Sequence, residues 1–393
     1  MAGTASTTAE ANFCLSEMSE MRWDYYFLAS GAELAAFWTQ RLAEGPRDVL
    51  CILALGFDPR MCEGFSMLCS ASGEGRRDIF LIEFDEGPDS PSQALQLQVD
   101  QNRERLNELI RGRGQVTVKQ LRLVDADGRR VESVNAMRLF SDRGEFDGYH
   151  DIILDISAMP RGIYFSILAK LLHLRDEARR ADASSRLPNL HVIVAENAVL
   201  DSQILQEGVE ETAQFIHGFS GGAQQESTAN IPCVWMPLLG EAQEPQVKVV
   251  YDFVKPSEIL PVLPSPSRNP RRADNLVIEY REILFDSFRL DPRNFIYGHE
   301  QNPFEVYRQL SSVVTRYRRS LEPLGGARFV LSALSSKLMS IGSLLVAYEL
   351  KPENIVGLAH VASHGYQMPV IQTMMPSNST EIFGLWLAGE YYE

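Results

Sequence analysis

The feature that most constrains this chain is an alternation between short, continuous apolar runs and longer amphipathic segments. Val49–Leu55 is an uninterrupted apolar run, and such runs are typical of strands covered on both faces. Helical patterns of ten residues or more separate these runs, as at 92–111 and 162–178. Strands that alternate with such helices need right-handed crossovers and a mostly parallel sheet. The sequence therefore predicts an α/β protein.

The alternation occurs twice along the 393 residues, a length that fits two or three domains. A stretch rich in Gly, Gln and Ser at 218–230 separates the two occurrences. We predict an N-terminal arm and helix over 1–47, a first Rossmann-like unit over 48–217, a linker with connecting strands over 218–256, a second Rossmann-like unit over 257–361 and a C-terminal tail over 362–393.

Charge and composition narrow the class of protein. The chain has 37 Lys and Arg against 52 Asp and Glu, a formal net charge of −15, which argues against broad binding to duplex nucleic acid. Its five cysteines include no Cys-x-x-Cys pair, so a structural zinc site is not expected. The start lacks a signal-peptide pattern and no long apolar run could span a membrane. We expect a cytoplasmic protein without membrane contact, metal or cofactor.

An internal similarity links the two halves. Residues 154–161 read LDISAMPR and residues 330–337 read VLSALSSK, and an apolar helix pattern follows each. In an open parallel sheet, ligands bind beyond the carboxyl ends of strands, where helix N-termini attract anions. The two junctions therefore predict an anion site with Arg161 and Lys337 as cations. Its predicted hydrogen-bond donors are Ser157, Ser332, Ser335 and Ser336. The alternative is that the serines cap helices and the cations are solvated.

Two polar turns extend this candidate site. Gly56 and Arg60 lie in the turn after the first apolar run, where a glycine permits close backbone approach. Arg271 and Arg272 lie in the loop 265–274, which follows the first strand predicted for the second half. We predict that both turns contribute to anion binding. A solvated surface loop is the alternative reading of each.

Catalysis stays open at this level. No P-loop, Gly-x-Gly-x-x-Gly or Gly-x-Ser-x-Gly motif is present. Asp58 and Asp155 lie at predicted strand ends and could converge to hold a metal or to act as base and acid. The alternative is that Asp155 caps a turn or pairs with Arg161 or Arg60.

The segment 331–342, LSALSSKLMSIG, resembles the strand–turn–helix motif of CRISPR-associated Rossmann-fold (CARF) domains. Lys337, Met339 and Ser340 carry the resemblance, and Ser335 and Ser336 replace the usual Gly-Thr. Two such units on one chain resemble SAVED-type proteins, which look like two fused CARF units. The resemblance covers roughly 48–361 in topology and about a dozen residues in motif. It implies mostly parallel sheets related by a pseudo-twofold axis, strand ends that face a shared cleft, and sensing of oligonucleotide messengers in antiviral defence.

The sequence thus favours a sensor of a nucleotide second messenger or another phosphorylated ligand, which acts through a protein partner or by self-assembly. A phosphodiesterase or other hydrolase acting on such a ligand is the alternative, and a structural subunit of a defence complex is another. The apolar segment 382–387 is either a docking strand or a buried strand of its own domain.

Overall fold

The computed structural model describes residues 21–87, 94–183, 185–223, 231–368 and 380–392. The first half of the chain forms β1 (Phe27–Ser30), α1 (Gly31–Ala43), β2 (Val49–Leu55), α2 (Glu63–Ser70), β3 (Arg77–Asp85), α3 (Gln96–Ile110), β4 (Val116–Arg122), α4 (Glu132–Arg138), β5 (Asp151–Asp155), α5 (Arg161–Ala181), β6 (Asn189–Glu196) and α6 (Ala198–Gln203). Parallel strands lie in the order β4-β3-β2-β5-β6. Every residue of β2 is buried, as its continuous apolar sequence predicts.

The second half repeats this plan. It forms β7 (Leu205–Val209), β8 (Gln214–Ser220), β9 (Cys233–Leu238), α7 (Glu244–Val254), β10 (Glu258–Ile259), β11 (Val262–Pro264), α8 (Arg272–Glu279), β12 (Ile296–Gly298), α9 (Pro303–Leu321), β13 (Arg328–Ala333), α10 (Lys337–Glu349), β14 (Val356–His360), β15 (Ser363–Gln367) and β16 (Glu381–Ala388). The parallel strands of its sheet lie in the order β12-β11-β9-β13-β14. Counted along the chain, both sheets have the order third-second-first-fourth-fifth, which is that of a Rossmann-like unit.

Antiparallel strands complete both sheets. β8 pairs with β14, whereas β16 inserts between β6 and β1 in the first sheet. The apolar segment 382–387 is therefore a buried strand that returns the end of the chain to the first unit. β7 and β15 pair with each other in a separate two-stranded ribbon.

The second sheet differs from the sequence prediction at its centre. The segment 218–256, predicted as a linker with connecting strands, supplies the central strand β9, which pairs with both β11 and β13. The second sheet therefore begins before residue 257. The interpretation of 265–274 as the loop after the first strand is wrong, because β9 takes the first place and this loop follows the second, β11. In the same half, α8 is followed by a π-helical turn, Glu282–Ser287.

The helices after the fourth strands, α5 and α10, join the two units. They pack against each other, and residues 338–348 of α10 are buried without exception. One continuous core includes apolar side chains of both sheets and of both helices. The two units therefore share their interior. In the described part of the chain, no helix is long and apolar enough to cross a membrane.

Candidate functional site

In both sheets the strand order reverses between the first and the fourth strand. These positions are β2 and β5 in the first unit and β9 and β13 in the second. Ligands of open α/β sheets bind beyond the carboxyl ends of the strands at such a switch point. A ligand site is therefore expected beyond the carboxyl ends of these four strands.

At the switch points, one cation from each unit reaches across to the other unit. Arg161 and Lys337 are the first residues of α5 and α10. The ammonium of Lys337 donates a hydrogen bond to the carbonyl oxygen of Ser157, and the guanidinium of Arg161 donates to the carbonyl oxygen of Ser335 at 2.8 Å. Each accepting serine is the second residue after its strand. The exchange is reciprocal, as a pseudo-twofold arrangement requires, and it places both switch points at one shared edge.

Lys337 belongs to a group of charged side chains at the first switch point, the Lys337 cluster, which consists of Lys337, Asp58, Arg60, Asp155 and Asp201. Arg60 donates to Asp58 Oδ2 at 2.7 Å and to Asp201 Oδ1 at 2.7 Å. Burial alone would lower the pKa of Arg60, but its two carboxylate partners outweigh burial and raise it. Because Arg60 is buried and doubly paired, it fixes the turn after β2 rather than offering a free charge.

Asp155 is the buried carboxyl at the end of β5. Its Oδ1 accepts a hydrogen bond from the backbone N–H of Ser157 at 2.9 Å, while its buried Oδ2 has no partner among the described residues. Burial raises the pKa of Asp155 to about 7, and the negative charge of Asp58 adds to the rise. The residue facing it is Gly64, where a Cβ would lie 2.4 Å from Oδ2. A glycine in α2 thus makes room for this carboxyl, which neither Arg60 nor Arg161 pairs with.

The environment of Lys337 disfavours the charged form of its side chain. Burial and the positive charge of Arg60 together lower its pKa to about 8, although the nearby aspartates oppose the shift. Among the described residues, neither Lys337 nor Arg161 lies within 4.0 Å of a carboxylate. Their hydrogen-bond partners are neutral carbonyl groups. The positive charges at this edge are therefore not neutralised by direct ion pairs.

Arg161 lies in a second group, the Arg161 cluster, which consists of Arg161, Glu132, Tyr164, His360 and Tyr366. The Nε of Arg161 and the hydroxyl of Tyr164 are buried and, in the described ranges, have no hydrogen-bond partner. Burial raises the pKa of Glu132 to about 7. Burial also lowers the pKa of His360 to about 3, with the charge of Arg161 contributing. The 3.8 Å contact between Glu132 and His360 is therefore not an ion pair at neutral pH, because the imidazole is uncharged.

Two aromatic rings meet at the Arg161 cluster, and one of them, Tyr366, belongs to it. Phe57, in the turn after β2, lies 6.2 Å from Tyr366 of β15 between ring centroids, with an interplanar angle of 45°. Both side chains are half-buried. Sequence reasoning missed them, because 309 positions separate them along the chain and only the ribbon formed by β7 and β15 brings them together. The one local signal was that Phe57 follows Gly56 at a strand end.

The predicted serines divide into two pairs. Ser157 and Ser332 are buried inside the sheets, where their hydroxyl oxygens accept from the backbone N–H of Ala195 at 2.8 Å and from Trp235 Nε1 at 3.0 Å. Ser335 and Ser336 lie at the shared edge instead. The hydroxyl oxygen of Ser336 caps α10 by accepting from the N–H of Met339 at 3.2 Å. The hydroxyls of Ser157 and Ser332 thus hold the sheets together.

The remaining predicted positions are Gly56, Arg271 and Arg272. A Cβ at Gly56 would be 3.9 Å from the carbonyl oxygen of Ala158, an ordinary contact, so no described protein group requires a glycine there. Arg272 is paired with Glu241 at 2.6 Å and also contacts Glu300. Arg271 is exposed. The basic loop is therefore partly neutralised. Glu300 links it to the second switch point, because the carbonyl oxygen of Glu300 accepts a hydrogen bond from the hydroxyl of Ser336 at 3.3 Å.

Metal ligands are not grouped at this edge. Within the ranges given above, no three His, Cys, Asp or Glu side chains are arranged to hold a metal ion. Asp58 is committed to Arg60, which leaves Asp155 as the carboxyl without a cationic hydrogen-bond partner.

No protein-family model and no curated protein sequence matches this chain. Among solved structures, the chain is similar to a Type III CRISPR defence DNA nuclease activated by cyclic oligoadenylate, with 10% identity, a TM-score of 0.41 and coverage of 76% of this chain and 63% of the nuclease. It is also similar to a universal stress protein from Archaeoglobus fulgidus, with 9% identity, a TM-score of 0.23 and coverage of 81% and 97%. The chain thus spans less than two thirds of the nuclease. TM-scores this low carry no argument about function.

Proposed function

We propose that this chain is a recognition protein that binds a nucleotide-derived anion at the shared edge of its two Rossmann-like units. The observation that carries the proposal is the reciprocal exchange of Arg161 and Lys337 between the switch points. It gives one edge two cations, one from each unit, at the N-termini of two helices. This combination of helix N-terminus and basic side chain suits phosphate groups.

The charge arrangement supports an anionic ligand. Arg161 and Lys337 are partly exposed and bind only carbonyl oxygens through the hydrogen bonds described above. A phosphate could take over these donors at the loss of one neutral hydrogen bond each, whereas Arg60 would have to break two ion pairs. We therefore assign ligand contact to Arg161 and Lys337, with Ser335 and Ser336 beside them, and a structural role to Arg60.

The aromatic pair supports a ligand that carries bases. Phe57 and Tyr366 present half-buried rings next to Arg161. Aromatic side chains stack on nucleobases of any sequence, each stack contributing about 1–3 kcal/mol. Together with two cations from opposite sides, they suit a ligand with several phosphates and bases. The resemblance of 331–342 to CARF domains indicates the same class, a cyclic or linear oligonucleotide messenger of antiviral defence. Such a sensor would act through a protein partner or by self-assembly.

A hydrolase is the second candidate, and the Lys337 cluster favours it. Asp155 with a pKa near 7 and Lys337 with a pKa near 8 are groups that can exchange protons at neutral pH, a common property of catalytic residues. Against this reading, the free oxygen of Asp155 is buried against Gly64. Recognition without turnover therefore fits the geometry better.

Calorimetric titration with cyclic di- to hexanucleotides, followed by chromatography of the recovered nucleotide, tests the proposal. Saturable binding with intact ligand is the expected result. Saturable binding with hydrolysis would transfer the assignment to the hydrolase. Absence of binding across the series would contradict both and leave a structural subunit.

A further inference from the structure

A groove at the opposite end of the first sheet is unrelated to the shared edge. It lies between α5, the turn before β5 and the segment before β6, and its volume is about 540 Å³ including the part open to solvent. Its floor is apolar and consists of Phe146, Ile152, Leu171, Leu174, Leu187 and Leu190. Arg175, at the groove, lies 14 residues after Arg161 along α5, or about 21 Å of helix.

The rim of this groove is basic. Arg143, Arg175 and Arg186 line it from three separate segments, and Asp147 is the single acidic residue in the described lining. Asp147 lies 4.0 Å from Arg143, at the limit of an ion pair. The guanidinium of Arg175 is oriented by donating to the carbonyl oxygen of Pro188. The chain as a whole has a net charge of −15. The positive charge of the groove therefore differs in sign from the average charge of the surface.

We propose that this groove binds a small amphipathic anion, with an apolar body against the floor and a phosphate or carboxylate at the arginine rim. Guanidinium groups match both headgroups by paired hydrogen bonds. A fully polar ligand would gain no hydrophobic stabilisation from the apolar side chains of the floor. The site is independent of the proposed nucleotide site, because no residue is common to both.

Hexyl phosphate, titrated calorimetrically below its micelle concentration, is a direct probe. We expect saturable binding that strengthens about fourfold for each added methylene from butyl to hexyl phosphate. The double variant Arg143→Ala/Arg186→Ala should bind at least tenfold more weakly. Both residues are exposed, so the fold should tolerate the change. The matched control is Arg129→Ala/Arg293→Ala, which removes two arginines with 78% and 88% side-chain exposure elsewhere and should bind as the wild type does.

Four results would overturn the proposal. One is the absence of saturable hexyl phosphate binding, and another is equal affinity in the Arg143→Ala/Arg186→Ala variant. The third is equal binding of hexyltrimethylammonium, which has the same chain and the opposite charge. Binding to hexyl phosphate only when it is incorporated in vesicles would likewise exclude a small-molecule site.

Discussion

The substitution Asp155→Asn should stabilise the protein, and its stability advantage over the wild type should increase with pH. Asp155 has a pKa of about 7 in the folded protein because of burial, against about 3.9 in an unfolded chain. Between these values the folded state binds more protons than the unfolded state, so the free energy of unfolding falls as the pH increases. Asparagine removes this penalty and can still accept the N–H of Ser157 through its Oδ1.

The magnitude follows from the two pKa values. Linkage gives a penalty of roughly 1–2 kcal/mol at pH 5 and roughly 4 kcal/mol at pH 8. The stability advantage of Asp155→Asn over the wild type should therefore grow by roughly 2–3 kcal/mol between these pH values. Urea unfolding at pH 5, 6, 7 and 8 measures it, with Asp127→Asn as control because that carboxylate is 72% exposed. A pH-independent difference would refute a protonated Asp155. A variant that loses stability relative to the wild type as the pH rises would show an ionised Asp155 held by Lys337.

Three further predictions test other parts of the structure. Arg41→Met should lower the free energy of unfolding by about 1.5–3 kcal/mol in urea titrations, because it removes one of the two arginine partners of the buried Asp151 and leaves Arg47 at 3.0 Å; the exposed Arg293→Met should change little. Gly64→Ala should cost about 1–3 kcal/mol by the same measurement, because its Cβ would lie 2.4 Å from Asp155 Oδ2, and unaltered stability would show that Asp155 is free to move. Phe57→Ala and Tyr366→Ala should each weaken binding of a cyclic oligonucleotide by about 1–3 kcal/mol, whereas Tyr297→Ala, an aromatic with 54% exposure on β12, should not; equal effects of all three would remove the stacking assignment.

Much of the fold could be predicted because strands that are covered on both faces have continuous apolar sequences. The run at β2 is apolar throughout and every residue of it is buried. Residues 329–333 of β13 are apolar except for Ser332 and are buried as well. A connecting strand was predicted where β9 lies, but its central place in the second sheet was not, because its sequence, CVWMPL, contains a proline and follows a polar stretch. The ribbon of β7 and β15 was missed because neither strand is apolar, so only their pairing defines them.

The site was predictable in outline but not in its hydrogen bonds. A cation follows the fourth strand of each unit, and this repetition was enough to predict that Arg161 and Lys337 lie at one edge. The hydroxyl of a serine near a strand end, by contrast, can face a ligand or the sheet. Neighbouring strands decide this, through Ala195 for Ser157 and through Trp235 for Ser332. Such partners are distant in sequence and leave no local pattern.

The most direct test of the account compares the affinity of one cyclic oligonucleotide for the wild type with that for Arg161→Gln and for Lys337→Gln. Since the two cations come from different units and face the same edge, each variant should bind about 1–3 kcal/mol more weakly. Arg293→Gln, in the exposed turn that precedes β12 and thus at the amino end of the strands, should bind normally. Unchanged affinity in both variants, or a loss confined to one of them, would contradict a ligand held jointly by the two units.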